Sequence, residues 1–580
     1  MLIAFALQVP APPQQPASIE GIVIKLGSGE PLADAKVQLD LVERLERRSE
    51  PMQPPTSPEN FHRMARSDRN GRFVFQNVVP GDYRLIVTRD GGYVPAEYGQ
   101  RSPTGQGISF EIAAGQKMTG IQLAMSPTGS ITGRVYDRDG EPLGKAQVMA
   151  LRPIYKDGQR TLTIVQSVES DDRGEYRLFW LAPGRYYVSA KPDILELPIN
   201  LARPFMAPAV HITDPARFGM LEQASNPVIQ TRRLRTGEVV EETYVPVYYP
   251  GTLDAQSATP IAVPAGATVG GIDVSVGAGL KPTRHIRGRV INAATAQPVV
   301  KASLIAIPRS STPYKVTPAS STNADGSFDL AGVVPGSYHI AVTSGGMSGI
   351  VPVEVGERDI PNLPIVISSG FKLSGRFVIE GAGGNNSQIS FPRISELVRD
   401  PPSVGMPSGG PSFTPPAAAD GSFVLEGVGP GDFRVNVGGV QPDSYVKSMR
   451  MGNADVLNDG LHIYSAPENL LEVVIGSNAG RIEGSVVNSR QETLPNRTVV
   501  LVPDVRFRHR NDLYKVVPTD TAGRFRVRGV APGNYRLFAW ESVETGAWQD
   551  PDFIRATESG GRSIQISEGS NEDVRLVVIP

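Results

Sequence analysis

The 580-residue chain has no cysteine, which removes a disulfide framework, cysteine-ligated zinc and thiol catalysis together. Histidine is scarce, with six copies scattered as His62, His211, His285, His339, His462 and His509. None opens an H-x-x-E or H-E-x-x-H phrase, so the paired imidazoles and carboxylate of a zinc hydrolase are missing. The H-x-x-D spacings at His211…Asp214 and His509…Asp512 are expected by chance. No G-x-S-x-G elbow occurs, and Gly144-Lys145 runs into Ala146 where a phosphate loop needs a hydroxyl. Neither sign of charge dominates, for the net charge is -2, and such a chain has no global field to draw nucleic acid or an anionic membrane. A run of 18 apolar residues is also absent, which excludes a spanning helix. The composition therefore points to no catalyst, no metal site and no cofactor.

Glycine and proline, at 61 and 51 copies, are plentiful and placed in a pattern. A glycine is followed nine residues later by Pro-Gly, and two residues after that glycine by an aromatic ring. The copies are Gly71…Pro80-Gly81-Asp82-Tyr83, Gly174…Pro183-Gly184-Arg185-Tyr186, Gly326…Pro335-Gly336-Ser337-Tyr338, Gly421…Pro430-Gly431-Asp432-Phe433 and Gly523…Pro532-Gly533-Asn534-Tyr535. A fixed internal period means a string of related units. Between the landmarks the residues alternate, as in Phe73-Val74-Phe75 and Phe525-Arg526-Val527, which is the period of a half-buried strand. Pro-Gly predicts a type II turn, because proline presets the first central angle and glycine accepts the positive second one. Each unit opens with a glycine between aliphatics, at Gly21, Gly133, Gly288, Gly375 and Gly484, and ends on a short aliphatic strand. Short strands with regular turn signals and no strong helical segment predict β-sandwiches.

The sequence of an x-G-x-V opening strand, a Pro-led second strand, a D-x-x-G-x-F-x-F-x-x-V-x-P-G-x-Y-x-L phrase and a closing aliphatic strand resembles the carboxypeptidase regulatory-like domain. That domain is a transthyretin-like β-sandwich. The pattern is also similar to the B-type repeats of bacterial collagen adhesins and to starch-binding-type sandwiches. The resemblance implies an all-β chain of five tandem transthyretin-like or Ig-like β-sandwich domains. Their expected bounds are 18–127, 128–280, 281–369, 370–479 and 480–580, after a signal-peptide remnant and Pro-rich linker over 1–17. The second domain carries an insertion over about 191–243, and the fourth is irregular between Gly381 and Pro416, which reads as a long connection.

The turn aspartates Asp68, Asp172, Asp325, Asp420 and Asp520 are too few per turn for calcium, which takes six to eight oxygens. Lys25 is a conceivable isopeptide donor, and the other opening strands lack such a lysine. Aromatic side chains outside the repeat core are the best sign of a ligand. Tyr93-Val94-Pro95-Ala96-Glu97-Tyr98 and Tyr244-Val245-Pro246-Val247-Tyr248-Tyr249 share a Y-V-P-x-x-Y phrase. Tyrosine rings with a polar tip suit the apolar faces of sugars or peptides, and equally suit covering a sandwich edge. Trp548 joins Tyr93, Tyr98, Tyr244, Tyr248 and Tyr249 as a candidate ligand contact, Trp540 stands between the two roles, and Trp180 alternates like core. The expectation is a non-catalytic, exported cell-envelope binding or adhesion scaffold with carbohydrate as ligand class. The alternative is an accessory subunit that binds a peptidase or outer-membrane transporter.

Overall fold

A computed structural model describes residues 17–41, 62–100, 102–103, 105, 107–156, 158–192, 229–309, 318–380, 391–400, 416–520 and 522–580. Residues 1–16 of the expected signal-peptide remnant and linker (1–17) and residues 193–228 of the expected insertion (about 191–243) lie outside the described residues. The protein is built almost wholly of short strands in layered sheets. It falls into two compact units. One is Met1–Thr132 with Leu178–Arg185 and Ala262–Gly270, and the other is Gly133–Arg177 with Tyr186–Ile261 and Gly271–Pro580.

The first repeat shows the plan. Strands β1 (Ala17–Lys25), β4 (Arg72–Val78) and β8 (Lys117–Met125) form one sheet in the order β4-β1-β8. The facing sheet runs β3 (His62–Arg66), β2 (Lys36–Leu41), β5 (Gly81–Thr88), with β6 (Ala96–Glu97) and β7 (Phe110–Ile112) both paired to β5. Alternate side chains of both layers, among them Ile19, Val37, Phe73, Phe75, Leu85 and Leu123, interleave as the core. The third repeat has the order Ser327–Val333, Arg284–Asn292, Ile360–Ile367 in one sheet, and the fifth has Arg524–Val530, Gly480–Val487, Asn571–Val577.

The opening glycine is explained by close approach. Gly21, Gly288, Gly375 and Gly484 sit directly opposite Phe73, Phe328, Phe423 and Phe525. A Cβ on Gly484 would lie 2.9 Å from the Phe525 ring and 1.9 Å from the Val574 carbonyl oxygen, so only a bare backbone lets the ring lie across the strand. The glycine that begins each phrase has φ near +75°, and its turn is closed by a carboxylate. Asp68 Oδ1 accepts from the backbone N–H groups of Asn70 and Arg72 at 2.8 Å each, and Asp520 does the same for Ala522 and Arg524. In the second repeat Asp171 fills this place, not the expected Asp172. These oxygens are committed to the backbone, and no group of metal ligands stands among the described residues.

Pro-Gly does not make the expected type II turn. That turn needs φ near +80° at glycine, whereas Gly81, Gly184, Gly336, Gly431 and Gly533 have φ from 141° to 159°. The chain bends at the proline and passes from one sheet to the other, as β4 pairs β1 while β5 pairs β2. The aromatic ring two residues on secures this arch. Tyr83, Tyr338 and Tyr535 each donate their hydroxyl, at 2.8 Å, to the carbonyl four residues back, on Val79, Val334 and Ala531. The fourth repeat has Phe433, which lacks the donor. There the Arg399 guanidinium lies 5.1 Å over the ring and donates to the Pro430 carbonyl at 3.4 Å.

Two irregular segments of the sequence also hold regular structure. Arg393–Arg399, inside the expected long connection, is a strand paired to Gly431–Gly438, with Ile394 and Leu397 in the core. Gln230–Arg233 and Val239–Tyr244, at the end of the expected insertion, form a hairpin extended by Leu280–Pro282.

Candidate functional site

The two Y-V-P-x-x-Y phrases occupy the same place on two sheets. In the first, Ala96 and Glu97 pair Val87 and Ile86, and the Tyr98 N–H donates to the Leu85 carbonyl at 2.9 Å. In the second, Val247 and Tyr248 pair Ala190 and Ser189, and the Tyr249 N–H donates to the Val188 carbonyl at 2.9 Å. Proline ahead of a two-residue strand suits an edge, since it withholds a donor where nothing is needed to receive it. Each phrase thus closes a sheet edge through its backbone, and its rings take what room remains.

The rings fare differently. Tyr93 is half-buried against the first core, with the Arg89 guanidinium 5.1 Å from its centroid. Tyr98 packs edge-on to Phe110 at 5.2 Å. Between them Glu97 accepts from Arg84 at 2.9 Å and from the Gly107 N–H at 3.0 Å. In the second phrase Tyr244 and Tyr249 keep part of their surface exposed. Tyr248, by contrast, is 2% exposed among Leu151, Leu162 and Tyr187, and burial raises its phenol above the usual tyrosine range. This corrects the expectation for Tyr248, whose register turns it inward. Trp548 is likewise 9% exposed, in a cluster with Val500, Phe538, Trp540 and Ile554 beside the short helix Pro551–Thr557. Neither ring has a face left for a ligand.

Trp180 is corrected in the opposite sense, for it is 40% exposed and not core. Its backbone is left-handed, with φ 55°, and its ring meets Phe179 edge-to-face at 4.9 Å. Alternation along Tyr176-Arg177-Leu178 failed to find it because the strand gains an extra residue there.

Several polar clusters lie at joints between repeats. His285 Nδ1 is 2.6 Å from Asp329 Oδ1 and its Nε2 is 3.0 Å from Glu241 Oε2, while Arg287 binds Asp329 and Asp359. Burial works against charge on this imidazole, but the bonds to Asp329 and Glu241 outweigh it and raise its pKa. Asp443 receives Arg481 and Arg528, and Lys447 lies between Glu380 at 2.7 Å and Glu568 at 3.1 Å. Tyr445, from the fourth repeat, donates to Glu568 at 2.6 Å and is counted in the core of the fifth. Lys25 is paired with Glu30 on the surface. Among the described residues no helix is long and apolar enough to cross a membrane.

No protein-family model matches the chain, and neither does any curated protein. Among solved structures it is similar to the minor pilin of Streptococcus agalactiae, at 12% identity over 45% of this chain and 94% of that one, with a TM-score of 0.21. It is similar to the Streptococcal ancillary pilin at 13% identity over 60% and 98% of the two chains, with a TM-score of 0.20. The major pilin subunit of Bacillus cereus matches at 11% identity over 61% and 100%, with a TM-score of 0.14.

Proposed function

We propose that this protein is a non-catalytic, exported adhesion or binding scaffold of the cell envelope, made of tandem β-sandwich repeats that withstand tension, with carbohydrate as its ligand class. One observation carries this reading. In each repeat the opening and closing strands are parallel, hydrogen-bonded neighbours: β1 with β8, and, by residue, Val135 with Val274, Val290 with Ile365, Phe377 with Val473 and Val486 with Leu576. Pulling the two ends of such a repeat apart slides one strand along the other. All the hydrogen bonds between them then resist together, where a hairpin pulled at its open end would yield one bond at a time.

Joints such as Asp443 with Arg481 and Arg528 favour the same role, because they pass force from repeat to repeat without a slack linker. The exposed parts of Tyr93, Tyr98, Tyr244 and Tyr249 are the proposed sugar contacts on the phrase edges. Single-molecule stretching of the full chain tests the scaffold. Discrete high-force unfolding peaks are expected, and Asp573→Pro, in the closing strand Asn571–Val577, should weaken one peak and spare the rest. A chain that lengthens smoothly at low force would remove the proposal.

A further inference from the structure

Six residues after the first glycine of the phrase, every repeat has a residue with left-handed backbone: Asn77 (φ 57°), Trp180 (φ 55°), Gly332 (φ 76°), Gly427 (φ 74°) and Gly529 (φ 68°). The reason is a bulge. Where pairing is described, two residues of the phrase's strand, β4 in the first repeat, face one residue of the opening strand, as the register jumps from Ala17↔Val78 to Ile19↔Phe75 and from Gly480↔Val530 to Ile482↔Val527. Glycine suits this position, and asparagine tolerates it better than other side chains. A tryptophan there is an outlier, since a bulky side chain in this region costs stability and such costs gather at functional sites.

Trp180 is also exposed in a strand that buries Tyr176, Leu178 and Leu181 and half-buries Phe179. Apart from Tyr464 it is the only aromatic among the large exposed apolar side chains of the described residues. The edge-to-face contact with Phe179 fixes the angle of its ring. A single braced ring is far too small for a protein interface, which needs on the order of 1,000 Å², but it matches the apolar face of one sugar ring. We infer that Trp180, braced by Phe179, is a carbohydrate-stacking platform in the second repeat, held out to solvent by the bulge. This rests on the carbohydrate reading above and gives it a residue.

The test uses the full-length chain with cello-, chito- and malto-hexaose as probes. Trp540 and Trp548 are buried, so acrylamide quenching of the long-wavelength emission reports Trp180. One of the hexaoses should shield it. Trp180→Gly, the residue of three other repeats, should fold, with its melting temperature within about 8 °C of wild type, and bind that sugar at least about tenfold more weakly, as expected for loss of a stacking contact of ~1.4 kcal/mol. Trp180→Asn, the residue of the first repeat, serves if the glycine variant does not fold. Unchanged affinity in these variants overturns the inference. If Tyr98→Ala or Tyr249→Ala abolishes binding instead, the carbohydrate reading stands while the Trp180 site falls. If no hexaose binds the wild-type chain at about 10 mM, both fall, and shielding by a protein but by no sugar has the same consequence.

Discussion

Removing one oxygen, Tyr535→Phe, isolates the bond that holds the arch of the fifth repeat. Its hydroxyl donates to the Ala531 carbonyl at 2.8 Å, both residues are buried, and the ring itself would stay in place. The lost bond is worth about 0.5–1.5 kcal/mol, and an acceptor left without a partner away from water brings the expected cost to about 1–2 kcal/mol. For a unit of about 100 residues that lowers the melting temperature by about 4–8 °C per kcal/mol. Emission of Trp540 and Trp548, which lie in this repeat, follows its unfolding within the full chain.

Alkaline pH gives a second handle on the same group. Burial raises the Tyr535 phenol above the usual tyrosine value. The unfolded chain therefore loses this proton first, near pH 10, and the stability due to the neutral phenol is complete below that pH and declines above it. Phenylalanine has no proton to lose, and the other tyrosines cancel between the two proteins. The gap between wild type and variant should thus narrow above about pH 10, by at most ~1.4 kcal/mol per pH unit. A variant within about 0.3 kcal/mol of wild type at neutral pH, or a gap that does not change between about pH 9 and 11.5, would refute this account of the arch.

Phe73→Ala should cost about 3–5 kcal/mol in the first repeat, because its ring fills the space over Gly21; proteolysis confined to that repeat would be the sign, whereas loss of ordered structure throughout would contradict separate cores. His285 has a raised pKa, so the stability it adds while charged is complete below its ordinary value near 6.5 and is lost as pH rises through the folded value. Urea titrations at about pH 5.5 and 8 should then show His285→Gln destabilised mainly at the lower pH, and an equal effect at both would mean that Asp329 and Glu241 do not hold the charge.

The strands were legible because alternation and the repeat phrase are local. The five opening glycines and their partner rings could be read as positions, and the structure adds the reason, a ring lying across a bare backbone at Gly484. The arch was misread because Pro-Gly is compatible with both a tight reversal within one sheet and a bend that crosses between two, and only the pairing of the flanking strands with different sheets decides between them. Trp180 was placed inside because a bulge reverses the parity of every residue beyond it. The glycines at 332, 427 and 529, at the same offset, carried that signal in the sequence. Trp548 and Tyr248 lie outside the repeated phrase, and their burial depends on side chains distant in sequence, such as Val500 for one and Leu151 for the other.

The placement of the opening strand also sets a timetable for synthesis. β1 lies between β4 and β8, so Ile22 must wait for Gln122, roughly a hundred residues later, before its sheet is whole. A nascent repeat therefore stays incomplete until almost its last residue has emerged and then closes in one step. The chain should mature in instalments, one repeat at a time from the N-terminus, and a ribosome stalled just short of a closing strand should leave the newest repeat open to protease and the earlier ones resistant.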